Sequence, residues 1–325
     1  VFPVSDHSSD IIRGLERELK KAGAHIHLRT EVKTVKVSPY EEPDVDEKKA
    51  HHSRVTGVEL ADGSFMEGDH VLVATGGFSY QSTGSTGDGY RFAEETGHKV
   101  TELSPSLVPL KTKEDYIPRL QGLSLKNTEL TIKSGKKVLF QDFGEMMFTH
   151  FGVTGPMILS ASAHIGKQLQ KSGELNAYLD LKPALTMEQL DARILREFEA
   201  GQNKQFKNVI GVLFPSSLTP VMLELGGISP EKKIHDISRE ERIHFEELVK
   251  AFPFTINEMG EYKEAVITRG GVSVKNIQPG TMESRKVKNL YFIGEVLDLD
   301  AVTGGYNLQI AWSTAYLAAM ALKNG

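Results

Sequence analysis

The chain has 325 residues, and at roughly 100–200 residues per domain this length predicts about two compact units. Its 38 Lys and Arg residues against 43 Asp and Glu residues give a net charge of −5, with both signs mixed along the chain. We therefore expect no nucleic-acid partner, because a protein surface that binds nucleic acid carries clustered positive charge. The chain has 0 cysteines, which excludes disulfides, thiolate metal sites and cysteine nucleophiles, so redox chemistry requires a bound cofactor.

Targeting signals are the next feature that the sequence excludes. No run of about 18 uncharged apolar residues occurs, and the opening residues lack the basic-then-apolar order of a signal peptide. We expect a cytoplasmic protein with no membrane partner.

The first hundred residues predict one helix followed by short strands. Apolar residues at helical spacing after Ser9 indicate a helix that ends near Gly23: Ile11, Ile12, Leu15, Leu19 and Ala22. The alternation over residues 24–37 predicts half-buried strands, and the charged residues 40–52 predict an exposed loop. Asp62-Gly63 predicts a hairpin between residues 54–60 and 64–68. A buried strand at 71–74 and a helix at 90–96 follow.

The middle of the chain has a different pattern. Short strand-like segments separated by Gly and Pro are typical of a small barrel or sandwich: residues 107–110, 130–133, 137–140 and 146–150. Capping boxes at Thr186-x-x-Gln189 and Ser238-x-x-Glu241 predict helices within 186–251. A strand at 289–293 and an apolar helix at 308–322 end the chain, and we expect Trp312 and its apolar neighbours to lie in the core.

These changes of pattern predict a discontinuous architecture. We expect a nucleotide-binding α/β domain formed by residues 1–104 and 270–325. Between its halves we predict an inserted β-rich substrate domain of residues 105–185 and 252–269, with a helical subdomain at 186–251.

The strongest local signal lies near the end of the chain. The strand that contains Tyr291 leads to Gly294-Glu295, and Thr303-Gly-Gly-Tyr-Asn307 then precedes a helix. Such a helix N-terminus can stabilise the negative charge of a reduced flavin, and the Glu295 carboxylate can accept a hydrogen bond from a ribityl hydroxyl. The alternative is an ordinary strand, turn and helix with surface glycines.

Two further glycine-rich segments support a dinucleotide site. The strand at 71–74 ends in Thr75-Gly76-Gly77, and the loop Thr83–Gly89 precedes a helix. The loop could equally be a helix entry capped by Ser85 or Thr86. The sequence contains neither G-x-G-x-x-G nor a Walker A motif, and it begins with Val1. We therefore expect that about 100 N-terminal residues with the pyrophosphate loop precede it in the complete protein.

Taken in order, the motifs resemble the BaiN-like family of NAD(P)/FAD-dependent flavoproteins, which includes aminoacetone oxidase-like members. They are LERELKKAG (15–23), TEV (30–32), ATGG (74–77), TGSTGDG (83–89), FTHFGVTGP (148–156), GGVS (270–273) and GEVLDLD with TGGYN (294–307). The resemblance covers nearly the whole chain. It implies a glutathione-reductase-type, Rossmann-like FAD-binding domain with an inserted β-barrel and helical domain.

The resemblance also implies a set of cofactor-binding residues. Val32 would meet the adenine end through its backbone, and Glu295, after Gly294, would take the ribityl position. The dinucleotide would be lined by Ala74, Thr75, Gly76 and Gly77, and the pyrimidine edge of the flavin by Gly304, Gly305, Tyr306, Asn307 and Leu308.

The FTHFGVTGP segment provides candidates for the substrate pocket: Thr149, His150 and Gly152. A lone histidine is also often a packed or capping residue, so His150 has both interpretations. No pair of histidines shows H-x-x-x-H spacing with a nearby acid, and we predict no metal site.

The function expected from these residues is an FAD-dependent oxidoreductase acting on a small organic molecule. Noncovalent FAD would exchange a hydride with the substrate or with NAD(P)H as co-substrate. The alternatives are an amine oxidase that uses O2 on an aminoacetone-like substrate and a non-catalytic flavin-fold binding protein. No residue is predicted as the catalytic base.

Overall fold

The computed structural model describes residues 3–41 and 51–324. Its α-helices are α1 (Ser8–Lys21), α2 (Asp88–Glu95), α3 (Tyr116–Arg119), α4 (Pro156–Ser172), α5 (Met187–Ala200), α6 (Thr219–Leu225), α7 (Arg239–Lys250) and α8 (Tyr306–Asn324). Its strands are β1 (Val32–Pro39), β2 (Ser53–Leu60), β3 (Phe65–Glu67), β4 (Val71–Val73), β5 (Ser104–Ser106), β6 (Leu110–Thr112), β7 (Ser124–Ser134), β8 (Lys137–Phe148), β9 (Gly152–Thr154), β10 (Leu175–Asp180), β11 (Phe252–Met259), β12 (Ile267–Arg269), β13 (Val287–Lys288) and β14 (Leu290–Phe292).

The chain divides into two compact units. The first comprises Val1–Val71 with Val287–Leu290, and the second comprises Leu72–Lys286 with Tyr291–Gly325. The domain boundaries expected from the sequence, with a nucleotide-binding domain made from both chain ends, stay a prediction.

The first unit contains α1 and a small sheet. In that sheet β2 pairs antiparallel with β1 and β3, and parallel with β13. The predicted Asp62-Gly63 hairpin is confirmed, since β2 and β3 pair antiparallel on either side of it. Within the turn, the Asp62 carboxylate accepts a hydrogen bond from the Ser64 N–H at 2.9 Å. The predicted strand start at residue 24 is wrong, because β1 begins at Val32 and Leu28 is 81% exposed. The alternation of apolar and polar residues over 24–31 does not form a strand here, because no neighbouring strand pairs with this segment in the described chain. Most of the predicted loop at 40–52 lies outside the described residues.

The second unit contains a closed barrel with the strand order β10-β11-β6-β9-β8-β7. Residues of alternate register point inward and are almost fully buried, among them Leu130, Ile132, Phe148, Phe252 and Phe254. The predicted barrel is therefore confirmed. The strand predicted at 107–110 is wrong: the chain forms β5 and β6 there, and Leu107, with φ of 53°, interrupts the extended backbone between them.

The helical cluster between β10 and β11 follows the predicted capping boxes. Thr186 and Ser238 each accept a hydrogen bond from the backbone three residues later, and Gln189 and Glu241 complete the boxes at the starts of α5 and α7. The core of this cluster is aromatic, with Phe206 and Phe245 fully buried and their ring centroids 5.2 Å apart.

The final helix α8 differs from its prediction in how it packs. It begins at Tyr306, two residues before the expected start. Leu308 is 69% exposed and Trp312 is 57% exposed, so the prediction that these residues lie in the core is wrong for the described chain. Only small residues such as Ala318 are fully buried on this helix. No helix within the described residues is both long and apolar enough to cross a membrane.

Candidate functional site

Glu295 lies in a single 3₁₀ turn, Gly294–Val296, directly after β14. Its Oε1 accepts a hydrogen bond of 2.7 Å from the backbone N–H of Thr268 in β12. Burial raises the pKa of the Glu295 carboxyl group, and the hydrogen bond from Thr268 opposes that rise. The structure thus places a half-buried carboxyl group with one oxygen fixed by the backbone.

The Ala74–Gly77 segment follows β4 and packs against the same group. A Cβ atom added to Gly77 would lie 2.5 Å from Thr268 Oγ1 and 3.0 Å from Glu295 Oε1, so no side chain fits at this position. The predicted segments ATGG and GEV are therefore brought into direct contact. Ala74, by contrast, is exposed.

The Thr303–Asn307 turn is held by the side chain of Asn307. Its Nδ2 donates to the Ala301 carbonyl at 2.8 Å, and its Oδ1 accepts from the Ala301 N–H at 2.9 Å. Gly305 adopts a φ of 87°, and a Cβ atom added there would have no neighbour within 4 Å. The turn is consequently rigid on its inner side and open on its outer side.

Helix α8 is tied to the Glu295 turn through Thr314. The Gly294 N–H donates to Thr314 Oγ1 at 2.9 Å. Within the described part of the chain, the first-turn N–H groups of Tyr306, Asn307 and Leu308 form no hydrogen bond, as is usual at a helix N-terminus. Thr314 therefore joins the Glu295 turn to the middle of the helix whose first turn carries these available donors.

The substrate-pocket candidates from the FTHFGVTGP segment lie elsewhere, in the connection between β8 and β9. Thr149 forms a tight turn there, since its Oγ1 accepts from the Gly152 N–H at 3.1 Å and its N–H donates to the Gly152 carbonyl at 2.8 Å. The exposed His150 packs edge-on against Phe151. Gly152 pairs with Lys111 of β6. Their role in a substrate pocket stays a prediction, as does that of Val32, which lies in β1 of the first unit.

Comparisons with known proteins extend over almost the whole chain. The HI0933-like protein Rossmann domain matches residues 1–321. The chain belongs to the HI0933-like family. This is a flavin-binding Rossmann family, so the resemblance stated from the motifs is confirmed. The Rossmann-like fold class is confirmed with it, and the closed barrel agrees with the expected insertion.

Three relatives of this HI0933-like protein carry names that describe an activity. It is 30% identical to the 3-dehydro-bile acid delta(4,6)-reductase of Clostridium scindens over 99% of this chain and 75% of that protein. It is 33% identical to the ribosomal RNA dihydrouridine synthase of Haemophilus influenzae, over 97% of this chain and 73% of that protein. It is 29% identical to the ribosomal RNA dihydrouridine synthase of Escherichia coli, over 98% of this chain and 72% of that protein.

The open turn of this HI0933-like protein fits the electron-accepting end of a flavin. The space beside Gly305 and the available N–H groups of the first turn of α8 provide donors for an electron-rich ring edge. Glu295 has a second carboxyl oxygen that forms no hydrogen bond within the described residues. The residues present are thus compatible with a bound flavin.

The sequence did not identify several residues that assemble this site. Thr268 and Thr314 each hold one side of the Glu295 turn, and Phe78 packs between Tyr90 and Tyr262 with ring centroids 5.5 Å from each. The sequence does contain a pattern that could have indicated Thr268. Gly270-Gly271 follows β12, just as Gly76-Gly77 follows β4. Thr314 lies inside a regular helix, and no local pattern marks it.

A cleft of about 600 Å³ lies in the second unit beside β12. Its wall includes Arg269, which follows Thr268, and Tyr262, which packs on Phe78. The guanidinium group of Arg269 is fixed by a hydrogen bond of 2.7 Å from Nη1 to the Ala163 carbonyl. Burial raises the pKa of the Tyr262 phenol, so this group stays protonated at neutral pH.

Proposed function

We propose that this protein is an FAD-dependent oxidoreductase that uses NAD(P)H to reduce a carbon–carbon double bond conjugated with a carbonyl group. The observation that carries the proposal is the hydrogen bond from Gly294 to Thr314, which joins the turn that contains Glu295 to α8, the helix whose first-turn N–H groups are available. Membership of a flavin-binding Rossmann family supports this interpretation of the turn. A helix N-terminus by itself would not indicate a flavin site, since every helix has one.

The protein's own residues bind and orient in this proposal, while bound FAD supplies the hydride chemistry. The first-turn N–H groups of α8 would donate to the pyrimidine edge of the ring and would favour negative charge there. Glu295 would accept a hydrogen bond from a ribityl hydroxyl through the oxygen that Thr268 leaves available. Asn307 keeps the turn in the conformation that presents these donors.

The names of the relatives support the proposed substrate class. One is a reductase of a 3-dehydro bile acid with delta(4,6) unsaturation, and two form dihydrouridine in ribosomal RNA. Both kinds of name describe saturation of a double bond that is conjugated with a carbonyl group. We therefore favour reduction of such a bond over oxidation of an amine by O2.

The cleft beside β12 is the proposed substrate site. Arg269 would donate to the carbonyl oxygen, which would make the conjugated double bond more electrophilic, and the protonated Tyr262 would supply a proton. Arg269→Met should lower kcat/KM for a conjugated carbonyl substrate by about tenfold or more. Lys167→Met, which removes the same charge from the same cleft, is the matched control and should change it by less than about threefold.

A uridine in ribosomal RNA is a second candidate substrate because two relatives carry that name. The net charge of −5 and the mixed distribution of charges favour a small molecule instead. We expect no membrane partner and a cytoplasmic location. Under anaerobic conditions, reoxidation of the NAD(P)H-reduced flavin by a conjugated steroid ketone or by ribosomal RNA identifies the compound that is reduced, whereas bleaching of the oxidised flavin by an aliphatic amine would favour the amine oxidase.

The cofactor is tested on the full-length protein. It should be yellow after purification, and NADH or NADPH should bleach its visible absorption under anaerobic conditions. Heat or acid should release FAD into the supernatant, because a chain with 0 cysteines cannot form a cysteinyl link and no other link is indicated. Colour that stays with the precipitate would contradict noncovalent binding. A colourless protein that cannot be reconstituted would refute the proposal.

A further inference from the structure

Thr268 is the residue at which the separate segments of the candidate cofactor site meet. It lies at the centre of β12 and is 1% exposed. Its backbone N–H donates to Glu295 Oε1 at 2.7 Å, and its side-chain Oγ1 accepts from the Phe78 N–H at 2.7 Å. One residue therefore contacts both the carboxyl group and the backbone that follows Gly77.

We propose that Thr268 is a positioning residue whose hydroxyl group holds the Gly77–Phe78 backbone against β12 and thereby fixes the Glu295 carboxyl group for cofactor binding. The effect on FAD affinity rests on the proposed function, whereas the effect on Glu295 does not. Thr268 would not touch the flavin itself. Its influence would pass through Glu295.

The packing around Gly77 explains why the hydroxyl group matters. The Cβ position of Gly77 is 2.5 Å from Thr268 Oγ1 and 3.0 Å from Glu295 Oε1, so the three residues form one closely packed layer. Without an acceptor on residue 268, the partly buried Phe78 N–H would lose its partner and the loop would shift to solvate it. Such a shift opens the space that confines the Glu295 carboxyl group.

The strand that carries Thr268 offers little freedom to compensate. β12 pairs with β5, where Thr268 lies opposite Pro105. The Ser79 hydroxyl lies 3.4 Å from Thr268 Oγ1 and adds a second polar contact from the same loop. The loop is consequently held at two successive residues by one side chain.

The test compares three variants of the full-length protein by FAD affinity. Thr268→Val keeps the shape but removes the acceptor, and we expect FAD binding to weaken by about tenfold or more. Thr268→Ser keeps the hydroxyl group and should bind within about threefold of wild type. Thr128→Val is the matched control, since Thr128 is 2% exposed in the barrel, and it should leave FAD affinity unchanged. If Thr268→Val does not fold, Thr268→Ala removes the same acceptor with less steric demand.

A double-mutant cycle with Glu295→Gln tests whether Thr268 acts through Glu295. If it does, Thr268→Val should change FAD affinity by less than about twofold in the Glu295→Gln background. Equal effects in both backgrounds would overturn the proposal. So would an effect of Thr128→Val as large as that of Thr268→Val.

Amide hydrogen exchange without FAD separates this inference from the proposed function. The N–H of residue 268, which donates to Glu295, should exchange at least about tenfold faster in Thr268→Val and not in Thr128→Val. Unchanged exchange would overturn the positioning role even if wild type binds FAD. If wild type binds no FAD, the proposed function fails, and the exchange result still decides whether Thr268 positions Glu295.

Discussion

The barrel and helix α8 are both rich in apolar residues but bury them to very different degrees. Phe148 and Phe252 in the barrel are 0% exposed, whereas Trp312 and Tyr316 in α8 are 57% and 65% exposed. A closed barrel covers its inward face with its own strands, but a helix depends on a neighbouring element to cover each face. The comparison teaches that apolar composition predicts burial only where the topology supplies the partner.

The largest effect is expected in the barrel. Phe148→Ala should lower the free energy of unfolding by about 3–5 kcal/mol, because it leaves a cavity among fully buried side chains. Chemical denaturation measures the change. Phe143→Ala in the same strand is the control, since Phe143 is 56% exposed, and it should cost less than about 1 kcal/mol. Equal costs would contradict the inward and outward alternation of β8.

The helical cluster, unlike the apolar barrel interior, contains a group of charged side chains that are at least partly buried. Arg242 Nε lies 2.7 Å from Asp191 Oδ1 and 3.4 Å from Glu246 Oε1, so one guanidinium group faces two carboxyl groups. Burial, together with Asp191, raises the pKa of Glu246 to about 7 from its ordinary value of 4.5. An acid with a raised pKa in the folded state stabilises the fold below its unfolded pKa, and this stabilisation is lost as the pH rises through the folded value.

Glu246→Gln should therefore remove a pH dependence of stability between about pH 4.5 and 7. We expect the variant to be about 2 kcal/mol more stable than wild type at pH 8, and close to wild type at pH 4. Thermal unfolding at both pH values measures the difference. Glu247→Gln, at a side chain that is 66% exposed, should show neither effect. A variant that is less stable at pH 8 would contradict the raised pKa.

Gly305 tests the open turn that precedes α8. Gly305→Val should weaken FAD binding by about tenfold or more, because a side chain would enter the space assigned to the flavin and strain a φ of 87°. Circular dichroism should stay near wild type. Gly122→Val is the matched control, with a φ of 84° and equally open space in the barrel region. It should lose about 1 kcal/mol of stability and leave FAD affinity unchanged.

The smallest effect is expected on the exposed face of α8. Because Trp312 is largely exposed, Trp312→Ala in this 325-residue chain should change the free energy of unfolding by less than about 0.5 kcal/mol. Thr314→Val, two residues later, should cost more, since Thr314 is 6% exposed and accepts a hydrogen bond from Gly294. A loss of several kcal/mol for Trp312→Ala would show that another element covers this face.

The sequence predicted best those features whose partners lie close together in the chain. The capping boxes at Thr186 and Ser238 join residues three positions apart, and the Asp62-Gly63 turn is complete within a few residues. Local chemistry is sufficient to fix such features. The Gly294-Glu295 motif was also visible, because a strand, a turn and a helix follow each other directly.

Features that depend on distant partners could not be predicted in the same way. The bonds from Thr268 to Phe78 and Glu295 join three segments, and nothing local in any of them specifies the other two. Residues 24–28 alternate like a strand but have no neighbouring strand to pair with in the described chain. The exposure of Trp312 similarly depends on what lies beside α8, which the pattern of that helix does not contain.

The separation of Phe78 and Thr268 has a consequence for the order of folding. These residues are 190 positions apart in the chain, and every strand of the barrel lies between them. Contacts of such long range form late because the entropy of closing the loop must first be overcome. The barrel and its helices shorten that loop when they fold. A ribosome-bound or misfolded chain would therefore lack the assembled carboxyl site, and only a chain with a finished barrel would present the complete candidate cofactor site.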